Sequence, residues 1–216
     1  MVIIIDFDDT LLNTEAVYKK LASGVLTELG ISYEQFIKSK EKIKERWGGG
    51  LKFYDINRHS SLMSEMSAFS AYEIKKEILN FFKKESSAFL FDDVLAFLEA
   101  RKNDSLILMT FGGKLVQKSK VSGSGIKKYF DNIIFTENKS KSELINSIIA
   151  SLPKNEKIIF VDGKIEELKK TKELCPEIIC VRIKRKEGRY TVQKTPADYL
   201  EIKNLKELDK FLCEMN

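Results

Sequence analysis

Val2-Ile3-Ile4-Ile5-Asp6-Phe7-Asp8-Asp9-Thr10-Leu11-Leu12 is the stretch on which the architecture turns. Its first four residues are β-branched, with no polar side chain among them. That pattern predicts a strand buried on both faces, as in a parallel sheet, rather than one alternating between core and solvent. The acids follow at once, so they emerge at the strand's carboxyl end, where an open α/β sheet binds its ligands. If the chain stays nearly extended, Asp6, Asp8 and Thr10 share one side and Phe7 and Asp9 take the other. Carboxylates so placed can hold a hard cation through oxygen and leave room for phosphate oxygens. An EF-hand loop starting at Asp6 fails, because Leu11 stands where the glycine is needed and Val17 where the bidentate glutamate is needed.

Apolar runs of the same kind recur at residues 106–109, 133–135, 158–161 and 178–183. Stretches of helical periodicity separate them, such as Val94, Leu95, Leu98 and then Leu144, Ile145, Ile148, Ile149. Alternating strand and helix predicts right-handed βαβ units and an α/β fold, a three-layer doubly wound, Rossmann-like parallel sheet. Between Asn13 and about residue 87 the pattern changes to helices without strands. Thr14 is placed to cap a helix carrying Val17, Leu21, Val25 and Leu29, and Ser32 with Gln35 makes a capping box for a helix reaching about Trp47. Gly48-Gly49-Gly50 breaks that helix, and residues 67–84 bring another with Ile74, Ile78, Phe81 and Phe82. The expected division is a core domain of residues 1–13 and 88–216 with a helical insertion at 14–87.

With 216 residues, 43% apolar and 32% charged, the chain can bury one good core and a modest insertion. The net charge of +5 comes from lysines spread along the chain, a solvated surface rather than a nucleic-acid groove. The densest basic stretch, Arg182, Lys184, Arg185, Lys186 and Arg189, alternates with Val181, Ile183 and Val192 around Glu187-Gly188, which predicts an exposed β-hairpin. Cys175, Cys180 and Cys213 show no CxxC pair and no histidine nearby, so they read as reduced packing residues. His59, the one histidine, stands away from the acids and reads as surface or packing, and Trp47, Phe81 and Phe82 read as helix packing. Asp6, Asp8 and Asp9 interrupt the early apolar run too soon for a leader or a membrane span, so a cytoplasmic protein is expected.

Asp6-Phe7-Asp8-Asp9-Thr10 resembles the DxDxT first motif of the haloacid dehalogenase superfamily, and three further motifs follow in order along the chain. A lone DxD after a strand would read as a turn or helix cap; four ordered motifs do not. The resemblance implies that Asp6 attacks phosphorus to form an aspartyl phosphate, while Asp8 protonates the leaving oxygen and then activates water. The second motif is Leu106-Ile107-Leu108-Met109-Thr110-Phe111-Gly112. There Thr110 would donate to a substrate phosphate oxygen, and the backbone at Phe111, Gly112 and Gly113 would approach the anion. Taken alone, Thr110 reads equally as a helix cap. For the motif lysine two residues compete, Lys141 in Lys141-Ser142-Glu143-Leu144-Ile145 and Lys139 before the candidate cap Ser140. The fourth motif, Ile158-Ile159-Phe160-Val161-Asp162-Gly163, brings Asp162, but Gly163 stands where many relatives have a second aspartate. The alternative spacing pairs Asp162 with Glu166, giving Asp6, Asp8, Asp162 and Glu166 as implied Mg²⁺ ligands. The closing stretch from Thr195 through Tyr199, with Leu205, Leu208 and Leu212, resembles the family's last strand and helix.

In this family a helical insertion directly after the first motif is a cap that contacts the leaving group, so residues 14–87 are the expected cap. The resemblance thus implies a Mg²⁺-dependent phosphatase acting on a small phosphorylated metabolite, with no nucleic-acid or membrane partner. The competing readings are a phosphomutase and a catalytically weakened phospho-ligand binding or regulatory protein, the latter suggested by Gly163. A dehalogenase would have no use for Asp8.

Overall fold

Six strands form one sheet: β1 (Val2–Asp6), β2 (Ser105–Phe111), β3 (Asn132–Thr136), β4 (Ile158–Asp162), β5 (Ile179–Ile183) and β6 (Leu200–Ile202). Their order in space is β3-β2-β1-β4-β5-β6, with parallel pairing. The computed structural model describes residues 1–46, 55–137, 139–153 and 156–215. The glycine run at 48–50 and Trp47, expected to break and to pack a helix, lie outside the described residues.

The β-branched run that opens the chain is the centre of this sheet, with every residue of β1 and of β4 buried. Val2, Ile4, Met109, Phe160 and Cys180 pack with Ile145 of helix α7 (Lys141–Ile149) and Ile165 and Leu168 of α8 (Ile165–Leu174). Residues of the opposite parity, Ile3, Ile5, Leu106, Leu108, Ile159 and Val161, are completely buried as well. Both faces are covered, as an all-parallel sheet requires. Chain order reverses direction between β1 and β4, and that switch point sets where a crevice opens at the strand ends.

The chain forms two compact units. One comprises Met1–Glu15, Leu90–Thr110 and Ile126–Asn216; the other comprises Ala16–Phe89 and Phe111–Gly125. The first holds the sheet with α5 (Val94–Ala100), α7, α8 and α9 (Leu205–Glu214). The second is helical: α2 (Tyr33–Arg46), α3 (Ile56–Ser64), α4 (Ala71–Glu85) and α6 (Lys114–Gly123), with α1 (Thr14–Leu21) leading in from the first unit. The Ser32–Gln35 box caps α2 as its spacing predicts, with Ser32 N donating to Gln35 Oε1 at 2.7 Å and Gln35 N to Ser32 Oγ at 3.1 Å. A second box, Ser70 with Glu73, starts α4. The helix α6 belongs to this unit because it meets α4 at backbone distance: a Cβ on Gly123 would lie 2.1 Å from Phe82 O. His59 is fully buried here, its Nε2 2.6 Å from Ser39 Oγ and its ring 4.9 Å from that of Phe36. Burial, with Lys40 adding to it, pushes its pKa down to about 3, so it is a neutral packing residue.

Four local expectations are corrected. Residues 182–192 are not an exposed hairpin. Ile179–Ile183 is an interior parallel strand, β5, and Arg182 is 0% exposed and Arg185 5%. Each guanidinium is buried because carbonyl and carboxylate partners meet it there. Thr14 does not cap α1: its hydroxyl turns back to the acidic loop, donating to Asp8 Oδ1 at 2.9 Å. Cys213 is exposed, whereas Cys175 and Cys180 are buried. The closing strand begins at Leu200, after residues 195–199. Among the described residues no helix is long and apolar enough to cross a membrane.

Candidate active site

Register brings the acids together. Ile5 pairs with Val161, so Asp6 and Asp162 come next on adjacent strands and leave the sheet side by side at the switch point. Asp6 pairs with Met109, which puts Thr110 one residue further along β2. The Ser140–Glu143 box starts α7, with Ser140 N donating to Glu143 Oε2 at 2.9 Å and Glu143 N to Ser140 Oγ at 3.3 Å. That cap makes Lys141 the first helical residue, and its side chain lies between the two strand ends. Lys141 Nζ donates to Asp6 Oδ1 at 2.5 Å and to Asp162 Oδ2 at 2.6 Å. All three side chains are buried. The choice between the two lysines is therefore geometric: Lys139 is exposed, and its backbone oxygen accepts from Thr136 Oγ1.

The loop after β1 does not stay extended. Leu11 N and Leu12 N both donate to Phe7 O, at 2.9 and 3.0 Å, Asp9 N donates to Leu12 O at 2.8 Å, and Asp9 takes φ 59°. This tight turn keeps Thr10 beside Asp6, with Thr10 Oγ1 donating to Asp6 Oδ2 at 3.1 Å. It sends the Asp8 carboxylate to Thr14 instead. Arg185 fixes the turn from below: its Nε and Nη2 donate to Thr10 O at 3.0 and 2.9 Å, and its Nη1 and Nη2 form a fork on Asp93 at 2.7 and 2.9 Å. Asp93 also accepts from Leu205 N at 2.7 Å, joining the first turn of α9 to the same network.

A second buried arginine shapes the segment after β5. Arg182 donates to Tyr190 O at 2.9 Å, Gln193 O at 3.0 Å, Thr195 Oγ1 at 2.6 Å and Gly163 O at 3.4 Å. Residues 190–195 are thereby drawn onto the end of β4. A Cβ on Gly163 would lie 3.3 Å from Ile183 O and 3.5 Å from Tyr190 Cδ2. The place of the family's second aspartate is thus backed by a carbonyl and an aromatic ring. Arg189, next to Tyr190, donates from Nε to the buried Asp9 carboxylate.

The electrostatics follow from burial and count. Burial and the neighbouring Asp162 push the Asp6 pKa up to about 7, against the pull of Lys141. Burial opposes the Lys141 charge, but Asp162 and Asp6 outweigh it, and the net shift is upward. Tyr190 is raised by burial; Arg189 opposes this, and Asp6, Asp9 and Asp162 add to the rise. Asp6 and Asp162 share one buried ammonium, and Asp8 adds to the rise in the Asp6 pKa; a divalent cation would complement this negative charge. Thr110 Oγ1 is buried and has no hydrogen-bond partner among the described residues.

The four acids nominated from sequence do not by themselves form a metal cage. Among the described residues no three His, Cys, Asp or Glu side chains converge in metal-holding geometry. Lys141 stands between Asp6 and Asp162, and Glu166 is exposed in the first turn of α8. The hard oxygen donors and the charge surplus nevertheless fit Mg²⁺, which needs only one or two carboxylates with phosphate and water completing its octahedron. Sequence reasoning missed Arg182, Arg185 and Tyr190. A signal existed for Arg182, whose position within an apolar run points it into the sheet's surroundings; none existed for the others.

A family model, haloacid dehalogenase-like hydrolase, matches residues 3–174. No curated protein sequence matches the chain. Solved structures of similar fold include the HAD-hydrolase YfnB of Bacillus subtilis, described as bound to magnesium, with TM-score 0.68, 17% identity and coverage of 98% of this chain and 97% of that one. A haloacid dehalogenase-like hydrolase of Burkholderia xenovorans LB400 gives TM-score 0.74 and 16% identity, covering 99% and 96%. The L-2-haloacid dehalogenase of Xanthobacter autotrophicus with chloropropionic acid covalently bound gives 0.62 and 12%, covering 100% and 99%. At these identities the likeness concerns the fold. The model match over most of the chain carries the assignment, and the chain belongs to the haloacid dehalogenase-like hydrolase family.

Proposed function

We propose that this hydrolase is a Mg²⁺-dependent phosphatase that cleaves a small phosphorylated metabolite through an aspartyl phosphate on Asp6. The observation that carries the reading is the Lys141 ammonium shared by Asp6 and Asp162, with Asp8 two residues from Asp6 and oriented by Thr14 Oγ1. An Asp6 oxygen attacks phosphorus, and the Asp8 carboxyl gives its proton to the leaving oxygen. Asp8 then takes a proton from the water that opens the aspartyl phosphate, which restores both carboxyl groups. Lys141 fixes the Asp6 carboxylate and screens it from the approaching phosphate; the Thr110 hydroxyl is available to a phosphate oxygen, beside backbone at Phe111 and Gly112. Asp6, Asp8 and Asp162 would hold Mg²⁺, which when bound favours the ionised form of Asp6 and neutralises phosphate charge. The helical insertion is the candidate cap and the candidate seat of substrate choice.

The test is phosphate release from a panel of phosphomonoesters, with and without Mg²⁺, for the wild type, Asp6→Asn and Asp8→Asn. Mg²⁺-dependent turnover that disappears in both variants is expected. Turnover retained by Asp6→Asn overturns the nucleophile. A 2-haloacid in the same panel addresses dehalogenation, which would leave Asp8 without a task. Gly163 favours the weakened phospho-ligand binder as a second reading; binding with negligible hydrolysis across the panel would establish it.

A further inference from the structure

We propose that Arg189 is a specificity-determining residue of this site and that its guanidinium receives a second anionic group, a carboxylate or a phosphate, carried by the leaving group. The inference rests on the phosphatase reading above. Arg189 directly precedes a segment that Arg182 anchors at Tyr190 O, so its position is built rather than accidental. Only its Nε is engaged, on Asp9, and the guanidinium carbon lies 5.6 Å from the centroid of the Tyr190 ring. The side chain is 50% exposed although its partner Asp9 is only 1% exposed. Nη1 and Nη2 have no hydrogen-bond partner among the described residues. A planar pair of donors in that state matches a carboxylate or phosphate in two-point fashion.

Its place relative to the chemistry gives the pair a task. Asp9, which holds Arg189, adjoins Asp8, the residue assigned to protonate the leaving oxygen, and we place the leaving group's second anion on that side. Burial works against the Arg189 charge, but Asp9, Tyr190 and Asp8 outweigh it and raise its pKa. The Asp8 carboxylate is therefore within electrostatic reach of the guanidinium. The Tyr190 ring lies beside Gly163, where a side chain would approach Ile183 O at 3.3 Å and touch the ring at 3.5 Å.

The experiment compares carboxyalkyl phosphates of one to three methylenes, and the matching alkane bisphosphates, with alkyl phosphates of equal length, in Mg²⁺-containing buffer. The wild type should favour at least one anionic series in kcat/KM by about tenfold or more. Arg189→Gln keeps a donor for Asp9 but loses the charge, and in it the preference should fall towards one. A turnover-independent arm measures the same ligands by calorimetry on Asp6→Asn, with and without Arg189→Gln, where the preference in Kd should fall in the same way. If the preference is the same with and without Arg189, or absent throughout, the proposal is overturned. If no ester is hydrolysed yet binding keeps an Arg189-dependent preference, the phosphatase reading fails and the anion site stands.

Discussion

Replacing Lys141 by Met removes the charge between Asp6 and Asp162 while nearly keeping the volume. The ammonium donates at 2.5 and 2.6 Å to two carboxylates that are themselves buried. Without it, two like charges face each other in a site that water barely enters. Removing one partner of a buried ion pair costs about 3–5 kcal/mol, because the charge left behind is uncompensated. For a chain of this size each kcal/mol moves Tm by roughly 2–4 °C, so Lys141→Met should lower the melting temperature by about 6–20 °C. The loss should also depend on pH. Without the lysine that pulls it down, Asp6 holds its proton still more tightly in the folded than in the unfolded state, so stability rises as pH falls. The gap to wild type should therefore be wider at pH 8 than at pH 5. Adding Asp162→Asn should restore part of the loss, because it removes one of the uncompensated charges, and the two changes should be non-additive by about 1–3 kcal/mol. Thermal melts monitored by circular dichroism in metal-free buffer measure all of this. An unchanged Tm in Lys141→Met, or simple additivity in the double variant, would refute the shared-cation arrangement.

His59 predicts an acid transition in the helical unit. Its pKa is about 3 folded against an ordinary 6.5, so between those values the unfolded chain binds the extra proton. The stability it protects is complete above pH 6.5 and erodes by roughly 1.4 kcal/mol per pH unit towards pH 3. Urea melts at pH 7.5 and 4.5 should show a loss on acidification about 2–3 kcal/mol larger in wild type than in His59→Gln; equal losses would dismiss the buried neutral imidazole. Gly123→Ala would place a methyl 2.1 Å from Phe82 O and 2.6 Å from Lys83 O. Overpacking against backbone should cost at least about 1–3 kcal/mol, read as faster hydrogen exchange across α4 and α6. Unaltered protection there would mean the two helices can separate freely.

Much of the sheet was legible because burial on both faces leaves a strong mark. The polar-free runs at residues 2–5 and 158–161 sit in β1 and β4, and helices with apolar periodicity lie between strands. Capping boxes were equally readable, since Ser32 with Gln35 and Ser140 with Glu143 act over three residues. The turn after β1 was not. Extension was the simplest reading of alternating acids, yet Asp9 adopts φ 59° and the chain folds back onto Phe7 O. That conformation is held by Arg185, 175 residues away from Thr10 in sequence, which no local pattern encodes.

The buried arginines explain why charge patterning misleads at this site and what the misreading concealed. A basic run normally marks solvent, because an isolated guanidinium is expensive to bury. Arg182 and Arg185 escape that rule by finding carbonyl and carboxylate partners from four separate segments: Thr10 O, Asp93, Gly163 O and the stretch 190–195. The contacts to Thr10, Asp93 and Gly163 come from distant segments, so the sequence shows the donors but not these acceptors. Gly163, in the same way, reads locally as an absent metal ligand. In three dimensions it lies against the Tyr190 ring, and Tyr190, directly preceded by Arg189, is held at its carbonyl by Arg182. Gly163 and the two buried arginines of the basic run about twenty residues later thus form one structural unit beside the switch point, while Lys186 and Arg189 of the same run remain exposed.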